Sequence, residues 1–181
     1  MRDSRIKNML LSALLVALVT VGAFLRISTP WATFTLQLPF ALLAGLLLGR
    51  AWGTAAMAVY VAAGLIGLPV FAGGGGISYV LQPTFGYVLA LIPAVLVTGI
   101  LTQHVRSTCR LVLGALCGVA VVYVIGASYA FLITRFWLCL PGAAHLALIG
   151  ALVTLPKDIL LGVCAAVLAR RLMPILEKER F

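Results

Sequence analysis

Asp158 stands apart from the other acids of the chain. Asp3, Glu177 and Glu179 lie at the two ends, whereas Asp158 sits inside apolar sequence. An ionisable group at membrane depth costs several kcal/mol to bury unless it is paired, which makes it a candidate ligand-binding group by default. A carboxylate accepts hydrogen bonds, so it would hold donor groups of a guest; the competing reading is an ion pair with Arg26 or Arg135. Lys157 is adjacent, but neighbouring helical residues point about 100° apart, so the two are not expected to share a face. Pro156 lacks an N–H and kinks or starts a helix. A helix beginning there would aim backbone donors and a positive dipole end into a cavity.

The second candidate region is Gly67–Tyr87, which carries Gly73–Gly76 in a row. Four consecutive glycines do not sustain a helix, and they permit positive φ and close backbone approach. Ser78, Tyr79, Gln82, Thr84 and Tyr87 place polar groups beside them. Non-helical backbone is tolerated in a membrane protein where it lines a cavity or meets water, so this segment reads as a ligand wall or lid, or else as a flexible outer loop. Gln37, Tyr123 and Tyr129 are further polar candidates within or beside apolar runs; the phenols would bond a ligand or another helix.

Hydrolytic, nucleotide-binding and metal chemistry find little support. GGGGISY lacks the Lys-Ser/Thr of a phosphate loop, and Gly76–Val80 misses the last glycine of G-x-S-x-G. H-E-x-x-H does not occur, and neither His104 nor His145 is placed beside Ser78. Cys109, Cys117, Cys139 and Cys164 are scattered without a C-x-x-C pair, which argues against zinc. They read as small side chains in helices, with no disulfide expected.

The elements that must position these residues are membrane helices. The chain is 64% hydrophobic and 9% charged, with a mean hydropathy of +1.20, far from the composition of a soluble domain. No Asp, Glu, Lys or Arg occurs between Lys7 and Arg26, Arg26 and Arg50, Arg50 and Arg106, Arg110 and Arg135, or Arg135 and Lys157. A crossing takes roughly 20 apolar residues, and the longest of these gaps holds two. The expected spans are Asn8–Leu25, Leu36–Gly49, Gly53–Leu68, Pro83–Gln103, Leu111–Trp137 and Ala144–Leu172, in a single domain over residues 1–181. The second is short. Interruptions are expected at Ser28–Thr35 (with Pro30), at Pro69–Pro83 and around Pro141 and Gly142. The basic run before the first span resembles a signal peptide, but its apolar part is long and more spans follow, so it reads as a helix that stays attached.

A net charge of +9 raises nucleic acid as a partner, but the placement of the charge points to topology instead. With both termini cytoplasmic, the inner side would hold Arg2, Arg5, Lys7, Arg50, Arg106, Arg110, Arg170, Arg171, Lys178 and Arg180. The outer side would keep Arg26 and Arg135, a strong positive-inside bias. The basic ends also suit anionic lipid headgroups. Ala13 and Ala17 lie one turn apart on the first helix; Gly45, Gly49 and Gly53, and then Gly114 and Gly118, repeat the spacing, which lets helix backbones approach closely.

GLPVFAGGGG followed by PTFGY closely resembles the signature of the BioY family, the biotin-specific substrate-binding (S) components of energy-coupling-factor (ECF) transporters. Thr35–Gln37, Ala44–Gly49, Tyr60 before Gly64, and Pro156-x-Asp158 extend the likeness over most of the chain. The resemblance implies an all-α six-helix membrane bundle in the bacterial plasma membrane. It captures biotin on the outer side and is not an enzyme. It implies a transmembrane coupling subunit and ATP-binding subunits as partners, Ala13 and Ala17 as the docking face for the former, and no cofactor or metal. A solitary biotin or related vitamin transporter remains an alternative. The expected ligand-binding set is Asp158, Gln37, Ser78, Tyr79, Thr84, Tyr87, Tyr123, Lys157 and Arg26, with Asp158 on the ureido ring. The family usually reads Pro-Gly-Asp with a Lys three residues later. Here Lys157 replaces the Gly and Leu161 the Lys, so Arg26, Lys157 or Arg135 would take the valerate carboxylate. Gln82 stands where Gly is common before Pro-Thr, and Ala90 where Gly often follows Gly-Tyr.

Overall fold

The computed structural model describes residues 2–28, 33–103, 107–139 and 142–178; Pro30, His104, Arg106, Pro141, Glu179 and Arg180 lie outside them. The elements are α1 (Arg2–Phe24), β1 (Arg26–Ser28), β2 (Thr33–Thr35), α2 (Gln37–Leu65), a 3₁₀ turn (Ile77–Leu81), α3 (Phe85–Leu89), α4 (Leu91–Thr102), α5 (Thr108–Leu132), a π turn (Ile133–Trp137) and α6 (Ala143–Lys178). Among the described residues, five helical stretches are long and apolar enough to cross a membrane: Arg5–Phe24, Gln37–Leu65, Phe85–Thr102, Thr108–Trp137 and Ala147–Leu176.

The expected second and third spans are joined in α2, which contains a reversal. Gly49 has φ 73° and ψ −171°, outside the helical range. A Cβ on Gly53 would lie 2.7 Å from the Ala44 carbonyl oxygen, and the Gln37 and Tyr60 side chains are hydrogen-bonded at 2.8 Å. A straight helix would separate the latter pair by about 35 Å. Residues 37–48 and 50–65 therefore run back along each other as a hairpin. Glycine is needed at the corner because a positive φ there is costly for residues with a Cβ.

One departure from an all-α chain and one from the expected helix interruptions have local causes. β1 and β2 pair antiparallel, with Arg26 opposite Thr35 and Ser28 opposite Thr33. The β-branched and aromatic Thr33–Phe34–Thr35 suits a short strand. Pro156 does not start a helix: α6 runs through it from Ala143 to Lys178. The expected half-helix N-terminus is absent there, and the proline instead leaves the Leu152 carbonyl without its usual i+4 donor.

α2 packs against α1, α4 and α6, and α5 against α4 and α6. Small residues make the close contacts: a Cβ on Gly118 would strike Thr98 Oγ1, and one on Gly114 would strike the Thr102 methyl. Lys7 Nζ donates to the Leu176 carbonyl at 2.9 Å, Arg170 bonds Thr108, and Gly99 lies against Arg50. These contacts gather the start of α1, the α2 reversal, the start of α5 and the end of α6 at one end of the bundle. Arg26 lies beyond the opposite end of α1, a helix about 35 Å long. Ala13 and Ala17 are exposed on α1, beside exposed Met9, Leu10, Leu14 and Val21.

Candidate ligand-binding cavity

A cavity of about 450 Å³ opens between the helices towards the β1–β2 end, a size ordinary for small-molecule sites. α6 supplies Ala147, Gly150, Thr154 and Asp158 from one stripe at helical spacing, with Lys157 beside it. α5 contributes Tyr123 and Ala130, and Thr134 follows from the π turn. Thr84, Tyr87, Val88 and Leu91 form another wall, while Gly73, Tyr79 and Gln82 come from the glycine-rich segment. Arg26, Thr33 and Thr35 of the hairpin and Gln37 at the start of α2 also line the cavity.

Asp158 is buried and anchors a polar cluster. The Tyr123 hydroxyl donates to its Oδ2 at 2.5 Å and also lies 2.8 Å from Thr154 Oγ1. Thr154 sits one helical turn before Asp158 and reaches the Gly150 carbonyl at 2.9 Å, so its own proton has an acceptor. A single phenol proton between two oxygens favours the charged one, in keeping with the shorter distance. The Tyr87 ring meets Tyr123 edge-on at 6.0 Å, and Gly126 lets Tyr87 approach α5: a Cβ there would lie 2.4 Å from the ring.

Lys157 corrects the expectation drawn from helical geometry. Its ammonium lies 2.7 Å from Asp158 Oδ1. Adjacent Cβ atoms diverge, but four methylenes are long enough to curl the charge back. No hydrogen bond is aligned on Oδ1, which is buried, so the contact is an off-axis ion pair. The ammonium's aligned bond goes to the Thr35 carbonyl at 2.7 Å, and it sits 5.9 Å from the Phe34 ring centre, within cation–π range. Lys157, rather than Arg26 or Arg135, is the cation paired with Asp158 among the described residues. Arg26 remains on the cavity wall, whereas Arg135 is exposed and outside it. Leu161 is half-buried and is not part of the wall.

The glycine-rich segment is a packed wall rather than a flexible loop. Phe71 is fully buried, and its ring fills the space a side chain at Gly64 would need: a Cβ there would be 2.0 Å from Phe71 Cζ. Tyr60, Tyr79 and Phe85 surround that ring at 4.8–6.3 Å, and Phe85 meets Tyr129 at 5.9 Å. The Phe71 and Gly74 backbones exchange hydrogen bonds, Gly76 N–H donates to the Gly64 carbonyl at 2.7 Å, and the Tyr129 hydroxyl donates to the Val80 carbonyl at 2.5 Å. Tyr129 therefore serves this wall and does not line the cavity.

Of the nine residues expected at the site, the structure brings Asp158, Gln37, Tyr79, Thr84, Tyr87, Tyr123, Lys157 and Arg26 to the cavity. Ser78 is exposed on the 3₁₀ turn and does not line it. Thr154 and Thr134 were not expected. Their signal was available, because Thr154 is one turn before Asp158 and Thr134 three turns after Tyr123. A helix start at Pro156 would divide the first stripe in two, whereas the continuous α6 keeps it whole.

Comparison with known proteins identifies the family and the fold. The BioY family model matches residues 1–178. A probable biotin transporter BioY of Lysinibacillus sphaericus is 37% identical over 176 residues, covering 96% of this chain and 90% of that protein. One of Pyrococcus horikoshii is 36% identical over 167 residues, covering 92% and 96%. A crystal structure of the S-component for biotin from an ECF-type ABC transporter shares the fold with a TM-score of 0.80 at 30% identity, covering 95% of this chain and 93% of that one. The match runs through every helix that lines the cavity, and the chain belongs to the BioY family.

Proposed function

We propose that this chain takes up biotin as the substrate-capturing membrane component of an ECF-type transporter, and that the cavity around Asp158 is its binding site. The observation that carries the reading is a buried carboxylate oxygen without an aligned donor, in a cavity of suitable size, in a member of this family. Biotin has an apolar bicyclic body, a ureido edge with N–H donors and an anionic tail. Asp158 accepts from the ureido edge; Tyr79, Tyr87 and Tyr123 offer aromatic walls; Thr84 and Gln37 add polar contacts; Arg26 supplies a cation for the tail, while Lys157 stays paired with Asp158 and the Thr35 carbonyl. Nothing in this task requires bond-making, and the protein is a transport component, not an enzyme.

The remaining parts of the reading concern placement and partners. Residues 37–48 and 50–65 count as two crossings, giving six in all with both termini cytoplasmic. The gathering of Lys7, Arg50, Arg110 and Arg170 at one end supports that orientation through the positive-inside bias, and those side chains meet anionic lipid headgroups. The exposed Ala13/Ala17 face of α1 docks the transmembrane coupling subunit, and separate ATP-binding subunits drive the cycle.

Titrating detergent-purified protein with biotin tests the site. Asp158→Asn keeps the shape but removes the charge, and it should weaken binding at least about 30-fold, roughly 2 kcal/mol. Unchanged affinity in a folded Asp158→Asn protein would remove Asp158 from the site.

A further inference from the structure

Tyr60 is fully buried on α2, and its hydroxyl takes part in two hydrogen bonds whose directions follow from counting protons. One bond, at 2.9 Å, reaches the Val70 carbonyl, which has no proton to give, so the phenol proton is spent there. The phenol oxygen must then accept in the other bond, 2.8 Å from the Gln37 side chain, and the group facing it is the amide nitrogen. The reverse orientation would aim the Gln37 carbonyl at Tyr60, take the phenol proton and leave the Val70 carbonyl without its donor. The orientation of the Gln37 amide is thus set by a backbone carbonyl two hydrogen bonds away.

Gln37 is buried and lines the cavity, and no donor among the described residues reaches its Oε1. We propose that Tyr60 is a positioning residue that holds Gln37 with its amide oxygen as an acceptor for an N–H group of the ligand. Building on the biotin reading, that group is an N–H of the ureido ring; a carboxylate meeting the same oxygen would be repelled. Val70 belongs to the wall packed around Phe71, so the relay also ties the position of that wall to the chemistry presented at Gln37. Tyr60 itself does not line the cavity and acts through Gln37.

A mutant cycle read by biotin titration tests the relay. Tyr60→Phe keeps the ring against Phe71 and removes the hydroxyl, and it should weaken binding about three- to tenfold. The same change in a Gln37→Leu background should have no further effect, because the group it positions is gone. An equal loss in both backgrounds makes Tyr60 merely structural and overturns the proposal, as does undiminished binding by Tyr60→Phe. Gln37→Glu gives a second measurement that leaves Tyr60 in place. It keeps an acceptor oxygen and should bind biotin more tightly than Gln37→Leu; the opposite order also overturns the proposal. No biotin binding by the unsubstituted chain overturns the biotin reading itself. Binding by that chain with an additive cycle overturns the relay alone.

Discussion

Two non-helical segments wall the cavity, and they are held by opposite means. Pro69–Gln82 is fixed by packing: Phe71 is seated against Gly64, other rings surround it, and backbone bonds close the glycine run. None of those contacts uses Asp158. The β1–β2 hairpin is held to α6 through the Lys157 ammonium, which bonds the Thr35 carbonyl and pairs with Asp158. One wall is therefore indifferent to what occupies the carboxylate, while the other is tied to it. In a membrane bundle, where apolar burial gives helices little preference for one another over lipid, close packing of small residues is what gives the first wall its fixed shape.

The comparison is broken most forcefully at Gly64. Gly64→Ala puts a methyl where the Phe71 ring lies, and overpacking of this kind costs about 1–3 kcal/mol. The melting temperature in detergent should fall by several degrees and biotin binding should weaken with it. An unchanged melting temperature would mean that the ring moves aside at no cost and that this wall is not rigid. Lys157→Met should act differently. It retains the aliphatic length and removes the charge, so the hairpin loses its tether while the packed core is untouched. Biotin should dissociate about tenfold faster, equivalent to about 1.4 kcal/mol, with a smaller change in melting temperature than Gly64→Ala produces. Stopped-flow displacement of labelled biotin measures this, and an unaltered dissociation rate would show that the hairpin needs no tether.

The same contrast explains what was legible in the sequence. The membrane helices were legible because long runs without charge mark apolar segments, and Asp158 because scarcity of charge marks depth. Gly67–Tyr87 was legible as a special region, but not as a packed one: composition reports the freedom of four glycines, whereas the seating of Phe71 at Gly64 is a tertiary fact. The Lys157–Asp158 pair is not legible from Cβ directions, which rule short side chains but not a lysine. The sequence leaves Pro156 as either a kink or a helix start within the span Ala144–Leu172, because proline's local cost does not decide between them. Neighbouring helices override that cost in a bundle. With α6 continuous, Ala147, Gly150, Thr154 and Asp158 fall on one stripe by spacing alone.

Ser78 gives the smallest expected effect and the finest cut. It lies beside Tyr79, in a run of polar residues that all seemed eligible for the ligand. In the folded chain Tyr79 is buried on the cavity wall and Ser78 is exposed. A packed wall presents one set of side chains inward and keeps the other set outward; a mobile loop would let both visit the cavity. Ser78→Ala should therefore leave biotin affinity within about twofold of the unsubstituted protein, as expected for an exposed substitution away from special contacts. A loss approaching that of Asp158→Asn would mean that the 3₁₀ turn rotates inward when ligand binds. It would also place this wall in the same ligand-dependent class as the hairpin, and the distinction between the two segments would fail.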